Sequence, residues 1–236
     1  MPSAGRIDPV AMVRQDIRAL RFAPGEQVSI IALCDRYALS SIPIREALNR
    51  LAGEGLIERR TNKGFFYPRM GAGDLAQVYE GLFTFLAGAS ARACVSPGAG
   101  SYPPDAEDAA EVGAMPPELA VERHIVAVAG MAGNAATVGR VGPWLDLTHA
   151  HRVCDLRRDG DPESYVGRYD ALLAAVRTGE RARAQVVLQE IAARVHANMA
   201  AAVCDMHAAC RASVSVGAPG LTARAWAGGV VRDARP

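Results

Sequence analysis

Apolar positions recur at helical spacing along most of this chain and at strand spacing in only one place. Residues 8–22 predict a first helix, with Asp8 as its cap and Pro9 at the first helical position, where a missing N–H costs nothing. Val13, Ile17 and Leu20 form its inward stripe. Arg14, Arg18 and Arg21 lie off that stripe, as phosphate contacts or as a solvated basic face. Ala23-Pro24-Gly25 ends this helix. A second helix is predicted over Ile30–Tyr37, ending at Ala38-Leu39. Ser40 or Ser41 can cap a third, with Pro43 just inside its start. Its apolar face is Ile44, Leu48 and Leu51, whereas Arg45, Asn49 and Arg50 fall outside that face. Gly53 and Gly55 close it, the second suited to a left-handed C-terminal residue. Residues 56–60 and 65–67 then flank Thr61-Asn62-Lys63-Gly64, a strand-turn-strand with a basic tip.

The pattern changes after the short hinge Met70-Gly71-Ala72-Gly73. Leu75, Val78, Tyr79, Leu82, Phe83 and Leu86 follow the i, i+3, i+4 rule and predict an amphipathic helix to about Cys94. A Pro- and Gly-rich stretch over 95–104 interrupts it, and 105–112 reads as a short acidic helix. Further helices are predicted from Pro117 to about Gly133, over 135–158 with a break at Gly142-Pro143, and from Asp161-Pro162 to a turn at Thr178-Gly179. The last carries Ala184, Val187, Leu188, Ile191, Val195 and Met199 at helical spacing. From Asp205 the periodicity fades, and 205–236 reads as a disordered tail.

Helix, turn, helix and basic hairpin in this order and at these spacings make a winged helix-turn-helix. Its third helix has the width to enter a DNA major groove, and its wing can reach the adjacent backbone. Charge agrees with this. The near-zero net charge hides eleven basic against seven acidic residues up to Met70, and fifteen against eighteen after it. The positive excess therefore sits where phosphates would be met. It is small enough that two copies are needed for a useful basic surface. Lys63, at the wing tip, is the only lysine in the chain.

The 236 residues suffice for two modest domains. No apolar run reaches the ~18 residues that a membrane span requires. The start MPSAGRIDPV lacks an apolar signal core, so a cytoplasmic location is expected. Cys34, Cys94, Cys154, Cys204 and Cys210 are scattered without a C-x-x-C pair, which indicates reduced thiols rather than a disulfide framework or zinc site. No nucleophile-base-acid order or phosphate-binding glycine loop is present, so no catalytic residues, no metal and no cofactor are assigned and an enzyme is not expected.

Over about the first seventy residues the chain resembles the GntR family of bacterial transcription regulators. The matching text is Ala23-Pro24-Gly25-Glu26, Leu33, Leu39-Ser40-Ser41-Ile42-Pro43-Ile44-Arg45-Glu46-Ala47-Leu48, Leu51, Glu54-Gly55-Leu56-Ile57 and Lys63-Gly64. The family's arginine and threonine of its S-R-T-P segment are here Ser41 and Ile42, and that arginine commonly helps hold DNA. The resemblance implies DNA contact by Ser40, Ser41, Pro43, Arg45, Asn49, Arg50, Lys63 and Gly64.

The helical remainder is similar to the FCD type of ligand-sensing domain, through Asp74-Leu75, Val78-Tyr79-Glu80, Gly133-Asn134 and Leu172 to Glu180 with Ala184. Such domains dimerise and enclose a small effector, often an organic acid on a metal. The family's metal-binding positions fall on Val121, Ile125, Tyr169 and Glu190, and its polar pair in the first sensing helix falls on Leu82 and Leu86. A metal site is therefore not expected. Arg123, Tyr169 and Glu190 are the effector-binding candidates. Arg140, Arg152 and Arg168 are alternative carboxylate anchors, for which surface ion pairing is the simpler reading. His149, His151 and Cys154 read as an exposed polar helix face.

The expectation is thus a mainly α protein. A winged helix-turn-helix of three helices plus a hairpin wing (6–69) precedes an all-α helical-bundle effector and dimerisation domain (73–204) and a tail. Its expected partners are operator DNA as a homodimer on an inverted repeat, and a small-molecule effector. No membrane partner is expected. The competing expectation is a degenerate, metal-free family member that serves mainly as a dimerisation or interaction module with weak DNA binding.

Overall fold

The computed structural model describes residues 8–95, 115–133 and 138–215. The chain divides into two compact units, Met1–Met70 with His207–Pro236, and Gly71–Met206.

In the first unit α1 (Pro9–Arg18), α2 (Ile30–Tyr37) and α3 (Ser41–Gly53) precede a hairpin of β1 (Glu58–Arg60) and β2 (Gly64–Phe66). Asp8 caps α1 by accepting from the Val10 amide at 2.9 Å. The helix stops four residues short of the expected Phe22. Leu20 takes a left-handed conformation with φ 55°, and the chain turns there so that both Leu20 and Phe22 enter the core. Ser29 caps α2, its hydroxyl accepting from the Ala32 amide. The helix ends at left-handed Ala38. Ser40 holds the cap position of α3, but its side chain makes no capping bond, contrary to expectation. Gly55, at φ +81°, ends the segment after α3 as its residue type predicts.

Polar ties join these helices. Asp16, buried on α1, accepts hydrogen bonds from the Tyr37 hydroxyl and the Arg36 guanidinium, and pairs with Arg21 at 2.9 Å. A carboxylate with this many charged or polar donors leaves no orphaned oxygen to penalise its burial. Arg14 reaches Glu54 just beyond α3. Val13, Ile17, Leu33, Ile44, Leu48 and Leu51 are buried between the helices. The hairpin pairs antiparallel, Glu58 opposite Phe66 and Arg60 opposite Gly64. The segment before α2 extends this pairing, with the Val28 amide donating to Phe65 O and the Tyr67 amide to Glu26 O, both at 2.8 Å.

The second unit consists of α4 (Ala72–Val95), α5 (Pro117–Ala132), α6 (Val141–Asp159), α7 (Pro162–Arg177) and most of α8 (Arg181–Ser215). Gly142-Pro143 does not break α6. The helix starts at Val141 and Pro143 lies in its first turn, where no amide is required. Asp161 caps α7 through the Ser164 amide, and Gly179, at φ +75°, makes the turn into α8. The inward stripe of α8 in this unit is Ala184, Leu188, Ile191, Val195 and Met199, continuing through Ala202 and Met206; Cys210, on the part of the helix that belongs to the first unit, is also buried. Residues 205–215 are therefore helical, not tail. Alanine and cysteine carried the same spacing with too little hydrophobic contrast to be seen. The expected break over 96–104, the acidic helix 105–112 and the tail beyond 215 lie outside the described residues.

Candidate nucleic-acid interface

The local sequence of α3 divides it into two faces. Ile44, Ala47, Leu48 and Leu51 are buried, the two leucines completely. Ser41, Ile42, Arg45, Glu46, Asn49 and Arg50 are exposed on the opposite side, with Ser40 just before them. Ser41, Arg45 and Asn49 are spaced i, i+4, i+8 and so line one ridge. Arg50 leans toward Glu54 at 3.4 Å but stays largely exposed. Pro43 is half-buried and belongs to the turn that starts the helix rather than to the polar ridge.

The wing presents Arg59, Thr61, Asn62, Lys63 and Gly64, all exposed. Its tip is held from inside. The Gln27 side-chain amide donates to Lys63 O at 2.8 Å, and Gly64 has φ +93°, a conformation that glycine alone adopts freely. Arg60 lies over the Phe66 ring at 4.2 Å and pairs with Glu58, so it serves the hairpin. Arg14 and Arg21 are likewise engaged with Glu54 and Asp16, and neither is a free phosphate contact. Sequence reasoning missed Arg59 and Ile42 as surface features. Strand alternation offered no signal for the first, since it would place Arg59 on the face of buried Ile57 whereas all of β1 is exposed; the position of the second outside the apolar stripe offered one for the other.

The second unit has a different character. Its central helix α6, packed by α4, α5 and α7, is buried on nearly all sides, so the expected exposed polar face is corrected. Arg152 is 1% exposed. It donates to Glu122 at 2.5 Å, to the Thr148 hydroxyl at 2.8 Å and to Leu145 O at 3.1 Å. It is thus a buried ion pair and not a surface one. Burial works against its charge, but Glu122, Tyr79 and Tyr165 together outweigh it and the guanidinium is held above its ordinary pKa. His149 also contacts Glu122, at 2.7 Å. Fully buried His151 shares a 3.0 Å hydrogen bond with the Tyr79 hydroxyl. Burial lowers the His151 pKa to about 4, with Arg152 adding to the shift and Asp155 opposing it, so the ring is neutral at pH 7. Asp155 accepts from Arg194 at 3.0 Å and from Asn198 at 2.9 Å. Cys154 is buried, which pushes its thiol up to about 11.

The three effector candidates do not converge. Tyr169 is buried and Arg123 half-buried, but Glu190 faces solvent, because Leu188 and Ile191 occupy the inward side of α8. Tyr169 instead borders a crevice between α7 and α8, too tight to admit a water molecule, with Tyr165, Arg168 and Arg194 among its lining. Among the described residues no cluster of three or more His, Cys, Asp or Glu is placed to hold a metal. No described helix is long and apolar enough to cross a membrane.

Residues 10–66 match the family model of the bacterial regulatory proteins, gntR family. That match runs from α1 through the hairpin of the first unit. Over 71 residues the chain is 42% identical to the Nta operon transcriptional regulator of Aminobacter aminovorans, a match covering 30% of this chain and 33% of that protein. It is 31% identical over 74 residues to the transcriptional repressor GlaR of Escherichia coli K12, covering 31% and 34%. The matched stretch thus spans about a third of each of these relatives. Two solved structures resemble the fold over more of its length. E. coli McbR/YncC matches at TM-score 0.58 and 18% identity, over 82% of this chain and 98% of that one. A putative GntR transcriptional regulator from Rhodococcus sp. RHA1 matches at 0.59 and 16%, over 80% and 94%. At these identities the likeness shows fold alone: a winged helix-turn-helix and an all-helical domain.

Proposed function

We propose that the chain is a transcriptional regulator that binds operator DNA as a homodimer, with α3 in the major groove and the wing on the neighbouring backbone. The observation that carries this reading is the exposed ridge Ser41, Arg45, Asn49 on a helix whose other side is fully committed to the core. A B-DNA major groove is about 12 Å wide and admits one such helix. Arg45 has the fork geometry to read a guanine edge, and Ser40, Ser41 and Asn49 add hydrogen-bonding groups beside it. Arg50 and Lys63 supply phosphate contacts. Two copies related by a two-fold axis would read an inverted repeat with half-sites about 34 Å apart or a multiple of that.

Effector control belongs to the same reading. The crevice between α7 and α8 holds a buried Arg168 nitrogen without a hydrogen-bond partner but no space for a ligand, so a small carboxylate would reach it only if the two helices part. Such a ligand would act by favouring one spacing of the DNA-binding heads over another.

The test begins with selection of binding sites from a random DNA library. Fluorescence-anisotropy titrations of the full chain then compare the selected duplex with a scrambled one at two salt concentrations. Specific binding with a steep salt slope is expected. Arg45→Ala should weaken binding by about 1–3 kcal/mol and relax discrimination at one base position per half-site. An unaltered affinity and sequence preference in that variant would remove α3 from the interface.

A further inference from the structure

Four large apolar side chains stand exposed among the described residues: Ile31, Ile42, Val95 and Val186. Only Ile42 lies on α3, where every other isoleucine and leucine is buried. It occupies the second position of the helix, 67% exposed, between Ser41 and half-buried Pro43 and one turn before Arg45 and Glu46. A lone exposed isoleucine is ordinary on a protein surface. Its position gives this one meaning. In a helix-turn-helix the N-terminal residues of the groove helix are the ones that reach base edges. An isoleucine there can neither donate nor accept a hydrogen bond, so it gains nothing from a phosphate or from the polar edge of G, C or A. The major groove offers one apolar group, the C5-methyl of thymine. Branching at Cβ also leaves isoleucine essentially one χ1 rotamer in a helix, so the side chain is held in a single direction before DNA arrives.

We propose that Ile42 is a specificity-determining residue that packs on the 5-methyl group of one thymine in each operator half-site. The inference rests on the DNA-binding reading above and adds the chemistry of one base position to it. Ser41 and Arg45 then recognise polar edges on either side of a methyl that the helix reads by contact alone.

The experiment uses the full chain and the duplex recovered by library selection. Each thymine of the half-site is replaced in turn, symmetrically, by deoxyuridine, which deletes the methyl and keeps the base pair. Dissociation constants are measured for the natural chain, for Ile42→Ala, and for Ile31→Ala as an exposed-isoleucine control in the first turn of α2 rather than α3. Circular dichroism confirms that the variants remain folded. At one thymine position the natural chain should lose about three- to tenfold in affinity, the range expected for one or two methyl groups leaving apolar contact. Ile42→Ala should show less than a twofold difference between thymine and uracil there, and Ile31→Ala should behave as the natural chain does. Equal affinity of the natural chain for all uracil duplexes overturns the proposal, as does an undiminished uracil penalty in Ile42→Ala. If selection enriches no sequence at all, the DNA-binding reading itself fails and this inference falls with it.

Discussion

Replacing Glu122 by glutamine tests whether the polar interior of the helical unit is held together by charge. Arg152 is almost completely enclosed, and Glu122 supplies its only ionic partner among the contacts described above. Glu122→Gln keeps the shape and one acceptor, but removes the negative charge. The guanidinium is then left with the Thr148 hydroxyl, a backbone carbonyl and a neutral amide. Breaking a buried ion pair from one side costs about 3–5 kcal/mol, and the retained amide oxygen places this variant near the lower end. That is a large part of the roughly 5–15 kcal/mol by which domains are stable. The assay is urea unfolding of the full chain followed by far-UV circular dichroism, with Arg152→Met and the double variant alongside. Removing both charges leaves no buried guanidinium to solvate, so the double variant should recover at least about 2 kcal/mol relative to Glu122→Gln. A loss below about 1 kcal/mol at an unchanged denaturant slope, or a double variant no more stable than Glu122→Gln, would refute the reasoning.

Two further outcomes follow from the geometry. Gly64→Ala forces a side chain onto φ +93°, with the new Cβ 3.4 Å from the Gln27 amide nitrogen, and should cost about 1–3 kcal/mol in thermal unfolding while weakening DNA binding through the wing. An unchanged melting temperature would show that the tip relaxes freely. His151 should make stability fall with acid. Its ring is neutral in the folded chain down to about pH 4, whereas the unfolded chain takes up a proton near pH 6.5, so its contribution is complete above the unfolded value. As pH falls through the window from about 6.5 to about 4, that contribution, on the order of 3 kcal/mol, is lost. Unfolding midpoints measured across this window should fall less steeply for His151→Phe than for the natural chain, and parallel slopes would contradict the assignment.

The first unit could be read almost entirely from local sequence. Asp8, Ser29 and Gly55 act within one turn of where they stand, and the boundaries of α2 came out residue for residue. Capping and left-handed termini depend on neighbours a few positions away, so chain order carries the information. Where a distant contact intervened, the reading slipped. The predicted first helix ran on through Leu20 and Phe22, which the tertiary core instead pulls inward around a left-handed turn. The cap expected of Ser40 is not made either.

The chain order of residues 29–68 therefore determined a groove-sized helix with one apolar and one cationic side, followed by a glycine-tipped wing. Whether a polar residue lies inside or outside was decided only by the tertiary structure. His151, Arg152 and Asp155 are consecutive or nearly so on a helix without a clear apolar stripe, and the ion-pair partners of Arg152 and Asp155 lie far away in sequence. Their partners Tyr79, Glu122, Arg194 and Asn198 come from 30 to 72 residues away, on three other helices. Burial of a charge is decided by whether such a counter-charge arrives, and that is a property of packing rather than of periodicity.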